Sequence, residues 1–165
     1  MVSLKILDVK NFMTKILVHT VFDNFLLIDL DVATFNNFHI SGFINKGFFT
    51  SEEKEQLGER EYSTWSEIKP IAFQLIKGNK TPLSFKFVFL LSKSNTEKIL
   101  TKVVNNYSIE DIGGLFLNVK YENGTLSLIT GTSIKKFTLD KSLENEWDSN
   151  MKKFLKHYEI EFEEN

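Results

Sequence analysis

The chain has no cysteine among its 165 residues. That excludes disulfides, thiol catalysis and Cys-ligated zinc, and it fits a reducing cytoplasm. Arginine is nearly as scarce. Arg60 is the only one, whereas proteins that read phosphates or base edges usually carry several. No apolar run approaches a membrane span, and the first residues lack the apolar core of a signal peptide. Net charge is -2, which provides no global attraction to nucleic acid or anionic lipid. A G-x-S-x-G elbow, a G-x-x-x-x-G-K-S/T phosphate loop and a nucleophile–base pair are also missing. These absences lead us to expect a cytoplasmic protein with no membrane partner, no cofactor and no recognisable catalytic motif.

What is present suits a globular core. The 16 Phe residues each bury much surface. One domain spanning 1–165 is the expectation for this length. The stretch Pro82–Leu91 is the central signal. Leu83, Phe85, Phe87, Phe89 and Leu91 alternate with Ser84, Lys86, Val88 and Leu90, as a strand requires. From Phe87 onward every residue is apolar, which predicts cover on both faces.

Around it the chain reads as alternating strands and helices. Strands are predicted at 3–8, 24–33, 38–45, 115–121, 125–130 and 134–139, with a short Glu-bearing edge strand at 159–163. In 24–33, Leu26, Ile28, Leu30 and Val32 share one face, and Phe25, Leu27, Asp29 and Asp31 the other. Helices are predicted at 10–20, after Thr50, at 65–77, 94–105 and 142–157. Thr50 with Glu53, Thr64 with Glu67 and Ser94 with Glu97 have capping-box spacing. Pro70 either belongs to the first turn of a helix starting near Lys69 or kinks one that starts earlier. Gly113-Gly114 reads as a break before the 115–121 strand. Asn123-Gly124 signals a type I′ hairpin that pairs Tyr121 with Leu126, Val119 with Leu128 and Leu117 with Thr130. Leu143, Trp147, Met151, Phe154, Leu155 and Tyr158 form the longest amphipathic stripe.

The order of elements repeats. Residues 4–17 and 85–100 both run strand, polar break, helix, and both end in Lys-Ile-Leu. Each is followed by two strands and an aromatic-rich helix. The chain therefore reads as an α+β fold, mainly antiparallel, built from two related β-α-β-β-(β)-α halves at about 1–80 and 81–165.

Over its whole length, through GEREYSTWSEIKP, LIKGNKTPLSFK and NVKYENGTLSLITGTS, the sequence resembles a family of small bacterial proteins of unknown function. That resemblance implies a globular cytoplasmic protein and no particular chemistry. GLFLNVKYENGTLSLITGT is also similar to strands of the DNA sliding-clamp fold, which duplicates a β-α-β-β-β unit. This similarity implies a clamp-like fold. The chain departs from clamps in its helices at 65–77 and 142–157, its shorter length and its lack of Arg-rich helices.

Several residue groups are candidate sites. Arg60, Tyr62 and Trp65 are the types that dominate binding hot spots. The competing reading places Trp65 in the core and Arg60 in a pair with a carboxylate. Lys10 and Lys15 on the first helix match Lys93, Lys98 and Lys102 on its counterpart. They could contact nucleic-acid phosphates, although solubilising lysine is the commoner role. Asp29, Asp31 and His39 share neighbouring strands and could meet a divalent metal. Without a second His or third carboxylate, a solvated face is the better reading and no metal is expected. Gly78–Thr81 reads as a helix stop and turn, and Glu52, Glu53, Glu55, Glu59 and Glu61 as a solvated acidic face. The reading that results is a non-enzymatic binding or protein-interaction domain. A clamp-like nucleic-acid accessory and an enzyme assembled from distant residues are its rivals.

Overall fold

A computed structural model describes residues 1–104 and 107–165. The described residues form an α+β structure around one antiparallel, seven-stranded sheet. Its strands are β1 (Ser3–Ile6), β2 (Leu26–Ala33), β3 (Asn37–Ser41), β4 (Ser84–Leu90), β5 (Ile112–Glu122), β6 (Thr125–Ile134) and β7 (Phe162–Glu164). They lie in the order β3-β2-β4-β5-β6-β1-β7. The helices are α1 (Val9–Leu17), α2 (Ser51–Leu57), α3 (Trp65–Ile76), α4 (Lys93–Leu100) and α5 (Ser142–His157). No described helix is long and apolar enough to cross a membrane.

The core lies between one sheet face and the helices. Phe85, Phe87 and Phe89 of β4 are buried, with Leu27, Leu30 and Val32 on one side and Leu117 and Val119 on the other. Trp65 packs across this row, its ring 5.3 Å from Phe87 and 5.2 Å from Phe89. Its indole N–H donates to the Ile16 carbonyl at 2.7 Å, which ties α3 to α1. A buried Trp usually finds such an acceptor, because an N–H left unpaired in the core costs about 1–3 kcal/mol. The α5 stripe behaves likewise. Leu143, Trp147, Met151 and Leu155 are buried, and Trp147 donates to the Phe116 carbonyl at 3.0 Å.

Local signals set several elements. Thr50 and Glu53 form the expected reciprocal cap of α2, a helix with no buried residue. Asn123 and Gly124 both take positive φ, 52° and 75°, and the hairpin pairs Tyr121↔Leu126, Val119↔Leu128 and Leu117↔Thr130. A Glu-bearing edge strand does end the sheet, but as β7 at Phe162–Glu164 rather than 159–163, since Glu159 turns with φ 55°. Helix α3 begins at Trp65, so Pro70 lies well inside it rather than in its first turn. The Pro70 ring is exposed, where the missing N–H leaves the Ser66 carbonyl to solvent.

Other expectations are corrected. Ser92, not Ser94, caps α4, because its hydroxyl accepts the Asn95 amide and its carbonyl accepts the Thr96 hydroxyl. The helix stops at Leu100 and leaves Val104 exposed; the expected end at 105 lies outside the described residues. No strand forms at 135–139. The Lys135 amide bonds to Asp111 and the chain leaves the sheet with Phe137 and Leu139 exposed. Gly113-Gly114 does not precede β5 but forms a bulge within it. A Cβ on Gly114 would meet the Phe116 ring at 2.7 Å, so the ring lies over a position only glycine leaves empty. In β2 a bulge between Leu27 and Asp29 breaks the simple alternation, so Leu27 joins Leu30 and Val32 on the buried face. Val88 and Leu90 point to the far face of β4 and stay half-buried, so cover on both faces is not found.

The strand order does not bear out the repeat. β4 pairs directly with β5, whereas β4, β5 and β6 all lie between β1 and β2. Residues 3–45 and 85–131 therefore differ in how their first strand is placed. The clamp-like arrangement rested on that duplication and loses its support with it.

Trp147 fills the core beneath α5 and is 1% exposed. Trp147→Ala is expected to destabilise the fold by about 3–5 kcal/mol. Urea unfolding of both proteins measures it, and an unchanged midpoint would contradict the packing described.

Candidate functional site

The structure disperses the residues singled out in the sequence. Trp65 is fully buried, so its side chain is unavailable to a surface partner. Arg60 pairs with Glu67, and the same carboxylate accepts the Thr64 amide at 2.9 Å. Desolvation alone would raise the Glu67 carboxyl. The Arg60 guanidinium and the Thr64 N–H and hydroxyl outweigh it and hold the group below the ordinary carboxylate value. Arg60 and Tyr62 do line one cleft of about 390 Å³, together with Glu59, Glu61, Lys93 and Lys135. Lys93 Nζ lies 3.9 Å from Glu59 there, so charges of both signs meet across that cleft.

The five lysines do not form one surface. Lys98 and Lys102 open onto a second cleft on the other side of α4. Lys10 and Lys15 sit on α1, which packs against α3, and line neither cleft. Gly78–Thr81 forms the exposed connection from α3 to β4.

The second cleft is the better-formed site. It measures about 320 Å³, within the range of small-molecule sites, and lies between α4, α5 and the segment leading into β2. Phe25, Ile99, Met151 and Phe154 give it an apolar floor. Asn24, Asn95 and Asn150 supply amides that can donate or accept, and Lys98 and Lys102 supply positive charge. The floor comes from packing. Phe154 stands edge-on to Phe22, Phe25 and Tyr158 at 5.4, 5.9 and 4.9 Å, and remains half-buried once the core is filled. Sequence reading missed the three Asn residues, which lie far apart in the chain. The one available signal was a stripe on α5 that continued to Phe154 and Tyr158, beyond what the sheet covers.

Asp29, Asp31 and His39 do come together on the open sheet face. His39 Nδ1 is 2.7 Å from Asp31 Oδ1, and Nε2 is 3.6 Å from Asp29 Oδ1. Among the described residues no group of three or more His, Asp or Glu side chains is arranged to hold a metal ion. The imidazole is instead an ion-pair partner. The hydrogen bond to Asp31, aided by the charges of Asp31 and Asp29, outweighs desolvation and raises its pKa above the ordinary 6.5.

The sign of the resulting pH dependence follows. A raised folded-state pKa adds stability that is fully present below 6.5 and is lost as pH rises through the folded value. NMR titration of the His39 ring should give a pKa above 6.5, and Asp31→Asn should lower it toward that value. An unshifted His39 in the wild type would contradict the pair.

No curated protein matches the chain, and no solved structure does. A family model matches residues 15–163, and the chain belongs to that family, a family of unknown function (DUF5721).

Proposed function

We propose that the chain is a non-enzymatic binding domain whose ligand is a small amphipathic anion held in the α4–α5 cleft. The observation that carries this reading is the division of the cleft into an apolar floor and a polar, cationic rim. An apolar body on Phe25, Met151 and Phe154 would gain about 25 cal/mol for each Å² removed from water. Lys98 Nζ reaches the Asn95 side-chain oxygen at 3.4 Å, and among the described residues neither Lys98 nor Lys102 meets a carboxylate. Their charges are thus free to meet an anionic group at the rim. The lining residues include no carboxylate or imidazole to act as a general base, which favours binding over catalysis. Nucleic-acid binding draws less support, since Lys93 faces a different cleft from Lys98 and Lys102.

Anilinonaphthalene sulfonate, an apolar ring system bearing one anionic group, tests the site. The folded protein should bind it saturably, with enhanced dye fluorescence. Reversing the rim charge with Lys98→Glu and Lys102→Glu together should weaken binding about tenfold, equivalent to about 1.4 kcal/mol. Absence of saturable binding, or affinity unchanged by the reversal, would refute the assignment.

A further inference from the structure

We propose that the free edge of β3 pairs with the same edge of a second copy, about a two-fold axis at His39, so that one sheet runs through a dimer. The two ends of the sheet are built differently. β7 is a three-residue strand bearing Glu163 and Glu164, which pair with Lys5 at 2.9 Å and Lys152 at 2.7 Å. Short length and charge are the usual protection of an edge against another strand. β3 is longer and has no Lys, Asp, Glu or Pro.

The backbone groups that face outward can be identified. The Gly42 amide donates to the Ile28 carbonyl at 2.8 Å, and the register runs from Asp29↔Ser41 to Ala33↔Asn37. Hydrogen-bonded and non-hydrogen-bonded pairs alternate in an antiparallel ladder. Ile40 and Phe38 therefore bond inward to β2, and the N–H and C=O groups of Asn37, His39 and Ser41 point away from it. All three residues are exposed. The segment that bridges Tyr62 to Phe43 leaves this edge clear. Ser63 donates to the Gly42 carbonyl and Glu61 accepts from the Ile44 amide, both at 2.8 Å, on the side that already faces β2.

The edge is self-complementary about His39. An antiparallel copy centred there sets Phe38 opposite the second copy's Ile40, and Asn37 opposite its Ser41. Half-buried apolar residues meet apolar residues on the helix-bearing face, and polar meets polar on the open face. A shift of one residue either way would oppose apolar to polar side chains. The same axis brings Phe35, 86% exposed, level with the second copy's Phe43, 56% exposed. Each His39 has Asp31 of its own chain at 2.7 Å, which offsets repulsion between the two imidazoles. Such an isologous contact closes at two copies and does not propagate into fibres.

Sedimentation velocity and light scattering on the full chain test the proposal. A dimer is expected at tens of micromolar, about the concentration range of a modest interface. Phe35→Glu should raise its dissociation constant at least about tenfold, and adding Phe43→Lys should restore much of it, because the new charges are opposite across the axis. Both sites are exposed, so folding is little affected. The absence of native cysteine permits a second measurement. His39→Cys should oxidise to a covalent dimer, since directly bonded antiparallel pairs have Cα atoms about 5.5 Å apart, within disulfide reach. Ser41→Cys alone should not, because it faces Asn37. A monomer up to about 100 μM, or cross-linking no better at His39 than at Ser41, would overturn the proposal, and the first result would leave the edge to a strand from a different protein.

Discussion

Burial of a single sheet face is the constraint on which the rest of this structure depends. Phe85, Phe87 and Phe89 lie along the middle of that face, and β2, β5 and β6 add aliphatic neighbours in register. So much aromatic surface cannot be left wet, and three helices of different origin in the chain converge to cover it. Trp65 and Trp147 each complete their cover by spending an indole N–H on a main-chain carbonyl, of Ile16 and Phe116. Those two bonds make the aromatic packing directional. They fix where α3 sits against α1 and where α5 crosses β5, which apolar contact alone would leave loose.

A one-residue irregularity then decides what the other face can do. The bulge at Ile28 keeps Leu27 in the core while leaving Asp29 and Asp31 on the open side. Beyond Gly42 the segment 62–64 takes over the pairing, bridging Leu26 through Thr64 and Phe43 through Tyr62. Gly42 lets the chain lie close against β2 before that switch, since a Cβ there would fall 1.7 Å from the Leu27 carbonyl oxygen. His39 reaches both carboxylates because non-hydrogen-bonded antiparallel pairs bring side chains closest.

The α4–α5 cleft has a related origin. The apolar stripe of α5 continues past Leu143, Trp147, Met151 and Leu155, the residues it buries in the core. Phe154 is left half-buried beside Phe25, with Lys98 of α4 and Lys102 just past its end at the rim. Lys93, Lys98 and Lys102 were legible as one group, but the division of Lys93 from Lys98 and Lys102 was not. Helical spacing places them around an axis; only the position of α5 shows which side becomes a cleft. Asn24, Asn95 and Asn150 carried no periodic signal at all, because each becomes relevant through contact with segments remote in sequence.

Local physical chemistry in the sequence determined the elements and much of their register. Period-two alternation marked β4, helical periodicity marked α5, and Asn123-Gly124 specified both a turn and the pairs of Tyr121, Val119 and Leu117 in its hairpin, though not the bulge at Gly113-Gly114. These signals need only neighbouring residues, so they survive without knowledge of the fold. Even there, competition within a few residues went unseen, as when Ser92 rather than Ser94 capped α4. The tertiary structure alone decided the neighbours of β1. Two stretches with the same order of elements took different places, β4 against β5 and β1 across the sheet between β6 and β7. Strand pairing beyond a hairpin is set by which buried faces fit together, and that energy belongs to pairs of distant segments rather than to either sequence by itself.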